Sequence, residues 1–312
     1  MPTNSPAALV TGCAGFIGSN LTERLLAEGY RVVGVDCFTD YYARQLKERN
    51  LAYSREHPGF RLLEADLVDL QEFPEVDYVF HQAAQAGVRG SWGAAFDTYL
   101  HHNILATQRL LEFYKGRQLR KFVYASSSSV YGDAEGVMRE ERPLHPVSPY
   151  GVTKLAGEHL CTLYAKSYGM PTISLRYFTV YGPRQRPDMA INKFVRALLD
   201  GTEITIFGDG EQTRDFTYVA DVVEANFRAS QSGLVGASLN VGGGSPISVN
   251  GLIRMLEAAA GKKARVRHVE QQKGDVAHTW ADIGRAQVGL GWQPGTELEK
   301  GLRQYLEWVA AA

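Results

Sequence analysis

An apolar run, Ala7–Thr11, opens the patterned part of the chain and passes straight into a cluster of glycines. Short apolar runs then alternate with stretches of helical periodicity through the first half. An apolar run of strand length, bounded by turn residues, reads as a strand buried on both faces. On that basis Ala7–Thr11 and Arg31–Asp36 are the first two strands, followed by 61–64, 78–82, 121–126 and Thr172–Tyr177. Residues 18–28 put Leu21, Leu25 and Leu26 on one face and stop at Gly29, as an amphipathic helix does. Residues 103–115 and 148–168 read as longer helices between later strands. Strands alternating with helices predict βαβ units, hence an α/β fold with a doubly wound parallel sheet.

From Gly182 the texture changes. Pro183, Pro187, Gly201, Gly208 and Gly210 interrupt the chain, and strands shorten to Glu203–Phe207, 216–218 and 238–241. Residues 250–261 and 297–309 are helical again. We expect a main domain from 1–179 and 216–247, and a smaller α/β lobe for substrate from 180–215 and 248–312. No internal repeat or low-complexity tract is visible.

Composition narrows the function. The 312 residues can bury a large core, and 45% of them are hydrophobic. A formal net charge of −1 offers no footprint for nucleic acid or an anionic membrane, so neither is an expected partner. Cys13, Cys37 and Cys161 are too few and too scattered for a disulfide framework or a metal site, which favours a reducing cytoplasm. The short polar stretch 1–6 and the strand-length run after it read as neither a signal peptide nor a membrane span.

Two stretches carry the chemistry. The first is Gly12-Cys13-Ala14-Gly15-Phe16-Ile17-Gly18, between a strand and a helix. Gly12 permits a tight turn, Gly15 lets backbone approach a pyrophosphate, and Gly18 allows close packing of helix on strand. Phe16 and Ile17 open the helix, whose free N–H groups and positive dipole end suit a phosphate. Asp36 ends the second strand, 18 residues after Gly18. A carboxylate there accepts hydrogen bonds from both adenosine ribose hydroxyls and repels a 2′-phosphate, so NAD is the expected cofactor.

The second stretch is Tyr150-Gly151-Val152-Thr153-Lys154, an i, i+4 pair on one helix face. A lysine ammonium beside the phenol favours phenolate, and a positive nicotinamide ring adds to that pull. Tyr150 can then take an alcohol proton while hydride leaves the same carbon. Ser127, in Ser126-Ser127-Ser128-Ser129-Val130-Tyr131-Gly132, can hold the substrate oxygen.

The G-x-x-G-x-x-G spacing with Tyr-x-x-x-Lys resembles the extended short-chain dehydrogenase/reductases. From about residue 7 to 309 the chain looks like an NDP-sugar epimerase of that group, similar above all to UDP-glucuronate and UDP-glucose 4-epimerases. The resemblance implies a Rossmann-like cofactor domain, with Ser127, Tyr150 and Lys154 as catalytic residues. It also implies Asp66 and Leu67 at the adenine, and Gln82, Ala83 and Ala84 beneath the cofactor. For the sugar nucleotide it implies Asn192, Thr205, Phe207, Arg214 and Asp275; Lys193 lies beside Asn192. Gln272-Lys273-Gly274-Asp275 lacks the arginine usual in UDP-galactose epimerases. A homodimer through a four-helix bundle, from about 103–115 and 149–168, is a further implication.

Which reaction follows hydride removal depends on the neighbours of Ser127. The related 4,6-dehydratases carry an Asp-Glu pair there, and the uronate decarboxylases a glutamate. Ser128 and Ser129 stand in those places, which leaves epimerisation at C4. Arg89, in Gln85-Ala86-Gly87-Val88-Arg89, belongs to the uronate-epimerase pattern, and Thr179 replaces the asparagine usual in UDP-galactose epimerases. Arg186 is the candidate partner of a C6 carboxylate, helped by Ser128, Ser129 and Thr179. The expected activity is NAD-dependent conversion of UDP-glucuronate to UDP-galacturonate. The alternatives are a UDP-glucose/UDP-galactose 4-epimerase, a keto-sugar reductase and, from another class, a non-catalytic dinucleotide sensor.

Overall fold

The computed structural model describes residues 5–270 and 276–311. Twelve strands occur among them. They are β1 (Ala7–Thr11), β2 (Arg31–Asp36), β3 (Phe60–Glu64), β4 (Tyr78–His81), β5 (Lys121–Ser127) and β6 (Thr172–Tyr177), then β7 (Thr179–Tyr181), β8 (Glu203–Phe207), β9 (Thr213–Tyr218), β10 (Ala237–Val241), β11 (Pro246–Ser248) and β12 (Arg265–Val269). Seven form one parallel sheet in the order β3-β2-β1-β4-β5-β6-β10.

Side-chain alternation along β1 divides it between two cores. Ala8 and Val10 join Leu21 and Leu25 of helix Phe16–Ala27, with Val222 and Ala225 of helix Val219–Gln231. Ala7 and Leu9 face the other way, onto Leu110 and Leu111 of helix Ala106–Tyr114 and Cys161 and Tyr164 of helix Pro149–Tyr168. A strand buried on both faces has no polar side to show, so its run is continuously apolar. Strand order reverses between β1 and β4, which opens a crevice at their carboxyl ends.

The smaller lobe has its own core. Ile191, Phe194 and Val195 of helix Ala190–Asp200 meet Ile204 and Ile206 of β8, Leu252 and Leu256 of helix Val249–Ala260, and Leu302 and Tyr305 of helix Leu298–Ala310. β9 centres a three-stranded sheet with β7 parallel and β11 antiparallel, while β8 and β12 pair in parallel. Ala286 and Trp292 depart from the expected division, because both pack into the main-domain core. The Trp292 indole donates to the Asp221 carbonyl, 2.9 Å away, which ties 284–292 to helix Val219–Gln231.

Other differences from the sequence reading are local. The helix expected at 103–115 starts earlier, as a π-helical turn over Leu100–Leu105. β12 is mostly exposed, and its two Arg and one His leave no apolar run to read. Among the described residues no helix is long and apolar enough to cross a membrane.

Leu9 is fully buried at the centre of β1, whereas Val288 is 91% exposed. Leu9→Ala is expected to cost about 2–5 kcal/mol and Val288→Ala less than about 0.5 kcal/mol, read as urea midpoints. Equal shifts would contradict this packing.

Candidate active site

The crevice at the carboxyl ends of β1, β2, β4 and β5 is a half-open cleft. Gly12, Gly15, Phe16, Ile17, Gly18, Asp36, Asp66, Leu67, Gln82, Ala83, Ala84, Tyr150, Lys154 and Arg186 all line it. Glycine is required at the turn. Gly12 has φ +66°, and a Cβ there would lie 2.8 Å from the Ala83 backbone. A Cβ on Gly18 would overlap the Gly12 carbonyl. Gly15 precedes helix Phe16–Ala27 without a side-chain cap, so the first helical N–H groups face the cleft.

Asp36 closes one end. Its carboxylate accepts from the Ala14 N–H at 3.0 Å and the Phe38 N–H at 2.8 Å, one bond per oxygen. Each oxygen keeps a lone pair for a ribose hydroxyl. Burial raises the Asp36 carboxyl above its ordinary range. Asp66 accepts from the Val68 N–H at 2.9 Å, and His101 Nε2 lies 3.0 Å from its other oxygen. Cys37, Asp66 and His102 bring ligand-type atoms within 4.8 Å of one another beside it. Gln82 binds inward instead, its amide donating to Asn226 at 3.0 Å and accepting from the Tyr177 hydroxyl at 3.1 Å. A tight glycine turn, an uncapped helix start and a ribose acceptor fit a dinucleotide. The Tyr42 hydroxyl, on the same wall, is buried with no partner among the described residues, which fits a ligand oxygen opposite it.

Tyr150 and Lys154 sit in the first turns of helix Pro149–Tyr168. Ser148 caps it by accepting from the Gly151 N–H at 3.1 Å, and Pro149 presets the first helical position. Lys154 is 4% exposed, its Nζ donates to the Ala125 carbonyl at 2.7 Å, and burial lowers its ammonium to about 8. The expected fall in the Tyr150 pKa is not what the protein alone produces. Burial raises it, while a hydrogen bond with Ser127 and the Arg186 guanidinium pull it back. Ser127 ends β5, and its hydroxyl donates to Ser129 Oγ at 3.1 Å and accepts from the Ser129 N–H at 3.1 Å. Ser128 and Ser129 follow in a 3₁₀ turn, and Thr179 opens β7.

Arg186 is placed differently from its expected use. Its guanidinium forms a fork with Asp188, at 2.9 and 3.0 Å, and Tyr41 donates to the same carboxylate at 3.2 Å. The residue stands at the cleft, but a protein carboxylate already holds its planar face. Asn192 is also spent internally. Buried, it donates to the Gln185 carbonyl at 2.9 Å and the Tyr305 hydroxyl at 2.8 Å, and accepts from Arg196 at 2.9 Å.

On the lobe side, the Arg89 guanidinium lies 4.0 Å from the Phe207 ring centroid, bringing the loop after β4 onto the end of β8. Thr205 lies within β8, outside the dinucleotide cleft. Arg214 on β9 donates to the carbonyls of Thr213 at 2.8 Å and Ala277 at 3.2 Å. Asp275 lies outside the described residues. Sequence reasoning missed Tyr41, Tyr42, Lys47 and His102, which also line the cleft. Tyr41-Tyr42 after the Asp36 strand was the available signal, since an aromatic pair in a loop has no packing reason of its own.

The comparisons with known proteins agree with this geometry. The model of the NAD dependent epimerase/dehydratase family matches residues 8–242. The uncharacterized UDP-glucose epimerase YtcB of Bacillus subtilis is 44% identical, covering 97% of this chain and 98% of its own. A UDP-glucuronate 4-epimerase of Thermodesulfobacterium geofontis is 40% identical over 96% of this chain and 95% of its own. The crystal structure of a UDP-glucuronic acid 4-epimerase from Bacillus cereus, in complex with UDP-glucuronic acid and NAD, superposes with a TM-score of 0.95. It is 41% identical, with 98% and 99% of the two chains covered.

Gly12→Ala is expected to abolish retention of the dinucleotide, because φ +66° disfavours alanine and the added Cβ would meet the Ala83 backbone, which distorts the turn. Absorbance of the supernatant after denaturation, against wild type, checks it; equal dinucleotide release would contradict the assignment.

Proposed function

We propose that this chain, which belongs to the NAD-dependent epimerase/dehydratase family, is a 4-epimerase that interconverts UDP-glucuronate and UDP-galacturonate. The observation that carries the reading is the pairing of a Tyr150–Lys154 helix with a Ser127–Ser129 loop at a dinucleotide cleft, with hydroxyls where dehydratases need carboxylates. NAD bound in the cleft accepts the hydride from sugar C4 and gives it back. Tyr150 takes the proton of the 4-hydroxyl and returns it to the 4-oxygen once the sugar has turned about its diphosphate linkage, so that hydride comes back to the opposite face of C4. Ser127 holds the reacting oxygen within hydrogen-bond reach of Tyr150. Lys154, anchored to Ala125, keeps positive charge beneath the phenol. No further acid or base is needed, since rotation breaks no bond.

The carboxylate of the sugar falls to neutral donors in this reading. Ser128, Ser129 and Thr179 supply hydroxyls, and Arg186, held back by Asp188, supplies a positive field. A 4-keto glucuronate is a β-keto acid that loses CO₂ when its carboxylate bond aligns with the ketone. Several donors around the carboxylate keep it charged and turned out of that alignment. Asp36, Asp66 and the glycine turn receive the adenosine and pyrophosphate of NAD. Arg89, Thr205, Phe207, Arg214 and Asp275 are assigned to the uridine diphosphate, with Asn192 as a support of that wall. The alternative substrate is UDP-glucose, favoured by the name that the Bacillus subtilis relative carries.

Two further readings extend the proposal. Leu100, Leu105, Val152, Leu163 and Tyr168 expose large apolar surface on or beside the two helices predicted to form a four-helix dimer bundle. A homodimer in the cytoplasm would cover them. The main domain is assigned to 1–179 and 216–247, with 180–215 and 248–312 as the substrate lobe, except that 284–292 packs with the main domain.

Incubation with UDP-glucuronate or UDP-glucose, without added cofactor, followed by proton NMR, tests the function. UDP-galacturonate without any pentose product is expected, and conversion of UDP-glucose alone would favour the alternative. Tyr150→Phe should lower turnover by about 10²–10⁴-fold with dinucleotide still bound; unchanged turnover would end the tyrosinate role. Ser128→Ala with Thr179→Ala removes two hydrogen bonds to a charged group, each worth about 1.5–3 kcal/mol. Turnover of UDP-glucuronate should need at least about 100-fold more substrate, with UDP-glucose little changed; equal loss for both would remove the carboxylate assignment.

A further inference from the structure

Beneath the catalytic face lies an ion pair that the chemistry above does not use. Glu158 and Arg176 are each 4% exposed at the side chain, on helix Pro149–Tyr168 and β6. Arg176 Nε lies 2.9 and 3.2 Å from the two Glu158 oxygens, and Nη2 lies 2.8 Å from one of them. The Ser126 hydroxyl donates to Glu158, and Ser238 donates to it at 3.3 Å. Arg176 Nη1 donates to the Tyr131 hydroxyl at 2.8 Å, which donates to Asn240 at 2.7 Å. The Asn240 amide reaches the carbonyls of Met138 at 2.9 Å and Asp282 at 3.0 Å.

A buried ion pair is a poor source of stability, because desolvation offsets most of its attraction. What it offers is direction. Three consecutive residues at the end of β5 each face one of three residues spaced four apart on the helix, two of them through a hydrogen bond. Ser127 meets Tyr150, the Ala125 carbonyl meets Lys154, and Ser126 meets Glu158. The first two contacts involve the reacting groups. The third is the one backed by a charged, fully bonded partner, so it has the least freedom to drift.

We propose that Glu158 is a positioning residue: held by Arg176, its carboxylate fixes Ser126, and so sets the Ser127 hydroxyl and the Ala125 carbonyl against Tyr150 and Lys154. This rests on the tyrosine–lysine–serine reading of the site. Its charge also bears on Lys154, one turn away on the same helix. The titratable groups facing Lys154 are Tyr150, Glu158 and Cys161 on its own helix, Tyr124 on β5, His81 on β4 and, through Glu158, Arg176 on β6. Burial keeps three of them neutral near pH 7. It pushes the Cys161 thiol and Tyr124 phenol up, and lowers His81 to about 3. Glu158 is then the anion that favours the Lys154 ammonium. Removing that negative charge lowers the pKa of every neighbour, so the paired Tyr150–Lys154 titrations move down together.

Glu158→Gln and Ser126→Ala test it in purified holoenzyme, with wild type alongside. Glu158→Gln should reduce kcat about tenfold with KM within about twofold, retain its dinucleotide, and shift both limbs of the pH profile to lower pH. Ser126→Ala should reduce kcat severalfold with the limbs unmoved, since the ion pair persists. Wild-type kcat and unmoved limbs in Glu158→Gln, with wild-type kcat in Ser126→Ala, would overturn the inference. If Glu158→Gln does not fold, the kcat of Ser126→Ala decides alone: severalfold loss supports the inference and wild-type kcat overturns it. Absence of turnover in wild type would instead defeat the reading of the site itself.

Discussion

Removal of water from one face of helix Pro149–Tyr168 is the constraint on which the site depends. It raises the Tyr150 phenol and lowers the Lys154 ammonium to about 8, so burial alone pushes both toward their uncharged forms. On the proposed reading, a tyrosine that must lose a proton therefore draws on groups from outside its own helix as well as on Lys154. Ser127 supplies the bond and Arg186 the charge, from β5 and from the loop after β7. The desolvation that makes the pair reluctant also makes each added charge count for more, because little water screens it.

That dependence explains why the two halves of the molecule have to meet where they do. The parallel sheet opens a crevice where its order reverses, and both the glycine turn and Tyr150 line it. Tyr41 follows β2 of the main domain, Asp188 follows β7, and the hydroxyl-to-carboxylate bond between them spans the cleft. Arg89 on Phe207 makes a second crossing, farther toward β8. Groups delivered from both sides surround the helix face, and the sheet beneath keeps it still.

Legibility in the sequence followed burial. β1, β2, β6 and β8 were readable to the residue, because runs of buried apolar side chains end where the strand leaves the core. The glycine turn was readable because only glycine fits Gly12 and Gly18. β12 was not, since its exposed Arg and His leave no apolar run, and neither was the π-helical turn, which buries only Asn103 of its six residues. In the cleft, residue type picked out Tyr150, Lys154 and Asp36, which the structure brings together along one lining. It failed to show that Asn192 bonds inward to Gln185 and Tyr305, or that Arg186 is held by a carboxylate two residues on. Those facts belong to the third dimension, where a short loop folds back on itself.

The Arg186–Asp188 fork bears on how a uronate epimerase would have to treat its substrate, on the proposed reading. Such an enzyme binds the same sugar in two orientations within one cycle. A free guanidinium is planar and bidentate, and it would hold a carboxylate in one geometry and oppose the turn. Hydroxyls rotate, accept or donate, and bind a carboxylate more weakly from several directions. Ser128, Ser129 and Thr179 offer that kind of surface, while Asp188 takes the fork and leaves Arg186 to act through its field on Tyr150. Holding the one strong donor out of reach therefore favours rotation, and does so without removing the charge that the tyrosine needs.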